Sequence, residues 1–378
     1  MKRHRARERF SPRESLQPQS CYLPPMAEVN FDSLFPLIRE HSSFIITSHV
    51  NPDGDALGSE IGLAEWLLSL GKQVRVINHS PTPYNYFVFD EPNPVLEQFK
   101  QEAHEKALRS AEVIFVLDVN DPGRVRSVGS YLSRGAGLPP GAPIPEPVSV
   151  PIVVIDHHLN PKDFASQYFI DTDATSTGEL IYRLIRQAQP SLGGTITPKA
   201  AMALYVAIMT DTGSFRFPRT DSGTLRMCAD LLDLGADPVR AYDEVYNQSP
   251  AGRLLLMREC LNSFEYHHEN RMAFQAIMQS QLEAAGAMEE DVDGFVQMPF
   301  QVRGIVLSVF LLELKEGWKI STRSKGNVSA AAFAQSFGGN GHFNAAGARV
   351  HGKISLGDMK QMILENAAKV LAEAAPKG

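Results

Sequence analysis

A chain of 378 residues, 43% hydrophobic and 21% charged, has enough apolar side chain to bury a core in each of two domains, which excludes fibrous and disordered classes. Its formal net charge of −7 argues against long duplex nucleic acid as a partner, because gripping many phosphates takes a basic excess. Any phosphates handled here are expected to be few at a time, with metal ions supplying the positive charge.

Cys21, Cys228 and Cys260 have no metal-type spacing and cannot all pair, as expected of reduced thiols in a cytoplasmic protein. The longest apolar run, IVLSVFLLEL at 305–314, is too short to cross a bilayer and contains Glu313. No apolar signal core follows the N-terminal charges, so no membrane partner is expected.

Residues 1–25 are basic, rich in proline and serine, and without apolar periodicity. They read as a disordered extension or a misassigned start, against the alternative of a basic arm for nucleic acid. From Met26 the stretch MAEVNFDSLFPLIREH begins like an amphipathic helix. FIITSH (44–49) is a short β-branched run, and Ala56 to Leu70 has helical spacing with Gly71 as a stop. VRVIN (74–78), VIFVLDV (113–119) and PIVVIDHH (151–158) are further strands. Continuous apolar runs separated by helices predict an α/β domain with a doubly wound, mostly parallel sheet. Between the last two lies RGAGLPPGAPIPEPVSVP (134–151), an exposed loop by its proline and glycine content. TGELIYRLIRQ (177–187) and PKAAMALYVAIMTD (198–211) are helical.

The pattern then changes. Residues 26–222 read as the first domain and 223–249 as a helical connector, two helices broken at Gly235–Pro238. Residues 250–375 read as a second, smaller α/β domain, with a cleft between the two. Its expected strands are 272–278, 306–314 and 318–324. Its expected helices are 328–337 and 358–374, the last with one apolar face.

Acids and imidazoles concentrate at strand ends. His49, Asp53 and Asp55 follow the first strand, in HVNPDGDALG. Asp118 ends the third, Asp156, His157 and His158 end the fourth, and Asp211 follows a helix. In an open α/β sheet the carboxyl ends of strands converge on one crevice. Four carboxylates packed there would raise one another's pKa values, a cost that divalent cations remove. Mixed His and Asp ligands favour Mn²⁺, Fe²⁺, Co²⁺ or Zn²⁺, and their number suffices for two ions. Gly54 and Gly58 are expected to let the backbone turn tightly, before a helix whose amide end favours anions.

These segments resemble the motifs of the DHH phosphoesterase superfamily: HVNPDGDALGS, VLDVNDPGR, VIDHH and MTDTGSFRF. FGGNGHFNAAGA (337–348) resembles the glycine-rich histidine motif of its associated C-terminal domain. The likeness runs from about residue 31 to 374 and is greatest to bacterial oligoribonucleases that also dephosphorylate 3′-phosphoadenosine 5′-phosphate. It implies one Mn²⁺ held by His49, Asp53 and Asp118, and a second held by Asp55, Asp118, His157 and Asp211. His158 would contact the phosphate or protonate the leaving oxygen, with Asp156 orienting an imidazole.

The resemblance also implies substrate contacts from Arg323, Ser324 and His342, with Gly339 and Gly341 allowing close backbone approach. Arg124 is a weaker candidate for phosphate, and Asn327 a helix cap with an optional ligand role. Asn340 stands where the family has glycine, and asparagine tolerates a positive φ. The expected substrates are short single-stranded oligonucleotides and nucleotides, cut to nucleoside 5′-monophosphates. Rival expectations are a phosphodiesterase for linear dinucleotides such as pApA, a RecJ-like exonuclease, and a silent nucleotide sensor. A homodimer is compatible with all of them.

Overall fold

The structure, a computed structural model, describes residues 29–374. The expected extension over 1–25 lies outside the described residues. The chain divides into two compact units, 1–245 and 246–378, each taken here by itself.

In the first unit six strands form one sheet: β1 Ser43–Thr47, β2 Gln73–Asn78, β3 Leu96–Gln98, β4 Val113–Leu117, β5 Ile152–Asp156 and β6 Gln167–Ile170. Their order is β3-β2-β1-β4-β5-β6 and every pairing is parallel. The order reverses between β1 and β4, where a doubly wound sheet opens its crevice. β4 and β5 are buried along their whole length, as an interior parallel strand must be.

The helices of this unit are α1 Leu34–Glu40, α2 Gly54–Ser69, α3 Phe87–Asp90, α4 Gln101–Ser110, α5 Gly129–Leu132, α6 Thr177–Leu192, α7 Pro198–Asp211, α8 Ser222–Asp233 and α9 Pro238–Tyr246. α1 begins at Leu34, later than the helical pattern in the sequence, and the 134–151 loop has no regular structure. α8 and α9 are the two helices read as a connector. Cys228, Leu231, Ala241 and Val245 tie them into the core of the first unit.

α2 is apolar nearly all round, with thirteen of its sixteen residues buried, because it lies between the sheet and α7. Gly54 and Gly58 are therefore not turn residues. Both lie inside α2 and let α7 come close: a Cβ on Gly58 would sit 2.3 Å from the Ala203 carbonyl oxygen. Gly58→Ala is expected to destabilise the protein by about 1–3 kcal/mol through overpacking. Denaturant melts check this, and an unchanged midpoint would mean that α2 and α7 have room to spare.

The second unit contains α10 Ala251–Asn262, α11 Gln279–Ala284, α12 Ala330–Gln335 and α13 Leu356–Glu373. Its strands are β7 Glu265–His267, β8 Met272–Ile277, β9 Leu307–Leu314, β10 Gly317–Ser324, β11 Asn340–His342 and β12 Ala345–His351. The sheet order is β11-β12-β10-β9-β8-β7, antiparallel except for the β8–β9 pair. One face packs on α12 and α13 through Trp318, Ile320, Phe333, Met359 and Ile363.

Candidate metal centre

The crevice at the β1–β4 reversal collects the called ligands. β1 ends at Thr47 and delivers His49. Asp53 caps α2, accepting from the backbone N–H groups of Asp55 and Ala56. Asp118 follows β4 at φ 58°, a left-handed conformation that asparagine and aspartate visit more readily than other side chains. Asp156 is the last residue of β5, with His157 and His158 beyond it, and Asp211 is the last residue of α7 rather than one past it.

Three groups of three side chains among the described residues have ligand atoms within 4.8 Å of one another: His49, Asp53 and Asp118; Asp55, His157 and Asp211; and Asp118, His157 and His158. Asp118 joins them. Its Oδ2 lies 3.3 Å from His49 Nε2 and its Oδ1 lies 3.5 Å from His157 Nε2. His157 Nε2 is also 3.4 Å from Asp211 and 3.7 Å from Asp55. Both rings meet backbone carbonyls through Nδ1, His49 at Val50 and His157 at Ala174, so both turn Nε2 towards the carboxylates.

The start of α6 is a part of the site that sequence reading missed. Asp55 accepts from the Thr177 and Gly178 N–H groups at 2.7 and 2.8 Å, and the Thr177 hydroxyl donates to Asp118 at 3.0 Å. The signal was present in Ser176-Thr177-Gly178-Glu179, where Ser176 caps the helix by accepting from the Glu179 N–H.

His158 is oriented by Asp156, whose Oδ1 lies 2.8 Å from Nδ1 and accepts from the His157 and His158 N–H groups. Asp156 is fully buried, whereas the His158 side chain is 44% exposed. Its Nε2 has no hydrogen-bond partner among the described residues. Arg124 is exposed, and its carbonyl accepts from Val50 N–H, next to His49.

The electrostatics are those of a site built around cations. Burial pushes the Asp55 carboxyl well above its usual range, and the charges of Asp118, Asp211 and Asp53 add to this. Burial and the Asp118 and Asp53 charges take Asp211 to about 6. Burial opposes protonation of His49, yet Asp118 and Asp53 raise it to about 9. His157 reaches about 9 against the same burial cost, through Asp118, Asp211 and Asp156. Burial also works against the Asp118 charge, but the His157 and His49 hydrogen bonds hold its carboxyl far below the ordinary value. No lysine or arginine pairs with these carboxylates among the described residues. Imidazole and carboxylate donors without a protein cation are the donor set of a divalent metal site.

In the second unit the called residues have differing surroundings. Ser324 is buried; its hydroxyl lies 2.6 Å from the Val328 carbonyl and accepts from Asn344. It ties a turn together. Asn327 is not the cap of α12, which is Ser329. Asn340 sits in β11 opposite Gly347, so the positive φ expected of it is not needed. Gly339 and Gly341 serve strand packing: Cβ atoms there would come within 2.1 Å of the Gly347 carbonyl oxygen and 2.5 Å of the Ala346 Cα. His342 ends β11, opposite Ala345. Arg323 is half-buried with no carboxylate in ion-pair range among the described residues, and burial lowers its pKa.

A doubly wound sheet with a shared-carboxylate His/Asp cluster at its reversal point defines a metal-dependent phosphoesterase. The chain belongs to the DHH family: the DHH family N-terminal domain matches residues 43–208 and the DHHA1 domain residues 274–371. It is 32% identical to the bifunctional oligoribonuclease and PAP phosphatase NrnA of Thermus thermophilus, over 87% of this chain and 90% of that one. It is 28% identical to the Bacillus subtilis protein of the same name, over 83% and 91%. Among solved structures, an exopolyphosphatase-related protein from Bacteroides fragilis matches with TM-score 0.76 and 29% identity, covering 91% of this chain and 94% of that one. Among the described residues no helix is long and apolar enough to cross a membrane.

Proposed function

We propose that the chain is a two-metal phosphoesterase that hydrolyses short oligonucleotides to nucleoside 5′-monophosphates and 3′-phosphoadenosine 5′-phosphate to AMP. One observation carries the reading: a single carboxylate, Asp118, offers one oxygen to each of two imidazole-bearing ligand groups. His49, Asp53 and Asp118 would hold one ion, and Asp55, Asp118, His157 and Asp211 the other. When bound, two such cations polarise phosphate oxygens and activate water for in-line displacement. The mixed nitrogen and oxygen donors suit Mn²⁺ among the divalent transition metals.

The protein's own groups do the rest. Thr177 and Gly178 fix Asp55 by donating to both of its oxygens, contacts that favour its charged form against the burial that raises its pKa. Asp156 holds His158 by Nδ1, which leaves Nε2 to donate a proton to the departing 3′-oxygen. Arg323 anchors a phosphate: its half-buried guanidinium has no carboxylate within ion-pair range among the described residues, only the Asp293 charge farther off. The names of the NrnA relatives support the substrate class.

A product time course with Mn²⁺ tests this, using labelled dinucleotide, pentanucleotide, a long single strand and 3′-phosphoadenosine 5′-phosphate side by side. Rapid conversion of the short oligomers to mononucleotides, with the long strand nearly untouched, is the expected result. Preference for the long strand, or no turnover of any of them, overturns the reading.

A further inference from the structure

Along β10, Trp318, Ile320, Thr322 and Ser324 are buried beneath α12 and α13, while Lys319, Ser321 and Arg323 look to the other face. Over β8 and β9 that other face is covered, Ile277, Phe310 and Leu312 packing with Leu256 and Phe295. Over β10 and β12 it carries the half-buried side chains of Lys319, Ser321 and Arg323 and the exposed Arg349. There the register sets Arg323 opposite Ala345, Ser321 opposite Gly347 and Lys319 opposite Arg349. The small residues of β12 leave a shallow cavity of about 320 Å³, lined by Lys319, Ser321, Gly339, Asn340, Gly347 and Arg349. That volume is at the lower end for ligand sites. Successive outward side chains of a strand are roughly 6.7 Å apart, so Lys319 stands about two such steps from Arg323.

Charge is distributed unevenly along this row. Arg323 is unpaired. Lys319 and Arg349 both pair with Glu289, and Lys319 also approaches Asp293 at 3.8 Å. Glu289 pairs with both cations and offsets one of their two charges, and the exposed Asp293 offsets part of the other, so a phosphate arriving there finds little net attraction and one carboxylate already seated between the cations.

Resting on the function proposed above, we infer that this cavity seats the nucleoside next to the phosphate held by Arg323. Glu289, by pairing with both Lys319 and Arg349, weakens the phosphate-attracting charge at that end of the row and makes the enzyme prefer short chains. Glu289 touches the two cations and not the substrate, which makes it a specificity-determining residue. The ligand class is a single-stranded oligonucleotide of a few residues.

The test uses full-length wild type and Glu289→Gln on 5′-phosphorylated RNA of two to seven nucleotides, with thermal melts confirming the fold. The variant should keep dinucleotide kcat/KM within about twofold and raise that for hexanucleotide about tenfold through KM, the gain vanishing at high salt. Adding Lys319→Gln should reverse the gain. An unchanged length profile in the folded variant, or an equal gain for the dinucleotide, overturns the inference. Fluorescence anisotropy of labelled oligomers with EDTA-treated protein reads the same ratio without turnover. If wild type cleaves nothing, the functional reading fails, while a hexanucleotide-selective gain in binding still supports a charge stop at Glu289 and its absence refutes it.

Discussion

Asp118→Asn is expected to leave a folded protein that loads neither ion and turns over dinucleotide slower by about three orders of magnitude, the scale of losing a central electrostatic group. The geometry dictates this size. Asp118 faces His49 with one oxygen and His157 with the other, and an amide can offer an acceptor to only one of them. Asparagine also tolerates the left-handed backbone at this position, so the fold is preserved and the effect is chemical. Alanine would add backbone strain to the loss and confuse the two. Metal content per chain by mass spectrometry, with initial rates at saturating Mn²⁺, decides the matter. Full loading together with full activity would remove Asp118 from the bridging role.

Metal binding is expected to expel protons. Without ions, His49 and His157 titrate near 9, so at pH 7.5 both are charged, and the buried Asp55 tends to keep its proton. A cation requires neutral imidazoles and charged carboxylates, so its apparent affinity should climb as pH rises from about 6.5 to 9. Calorimetric titrations in buffers of different ionisation enthalpy should report about three protons released per loaded protein near pH 7.5, one each from His49, His157 and Asp55. Release close to zero would mean that the site stands deprotonated before the metal arrives.

The same histidines govern the metal-free fold. Their folded pKa values exceed the unfolded value, so between about 6.5 and 9 the folded chain binds more protons than the unfolded one, and stability falls as pH rises through that window. Thermal melts of EDTA-treated protein at pH 6.5 and 9 check the sign, which saturating metal should mask.

What could be read from the sequence followed strand length and apolar continuity. FIITS, VIFVL and IVVI announced β1, β4 and β5 because interior parallel strands are apolar on both faces, and those three carry most of the ligands. β3, β6, β7 and β11 escaped notice because strands of three or four residues are too short to show a period. β12 escaped because its alanines and glycine carry no β signal. Gly58 misled for a different reason: close packing of two helices and a tight turn both call for glycine, and only the partner element tells them apart. The contacts of the Thr177 and Gly178 amides with Asp55 were hidden because no residue type advertises a backbone donor, and the helix cap at Ser176 marked only where α6 begins. The Asn344 contact of Ser324 was not legible because the two residues meet only through the fold.

His49 and Asp211, at opposite ends of the ligand set, stand 162 positions apart in the chain. Each candidate ion thus draws on segments that meet only when β1, β4 and β5 are already aligned and α7 is docked on α2. During synthesis, a chain growing from its N-terminus has the His49 group long before Asp211 emerges. Contacts this distant in sequence form late, because loop closure must come first. A cation would therefore not template the folding of this unit. It would act as a clasp closed after assembly, and chelation should speed unfolding far more than it slows folding.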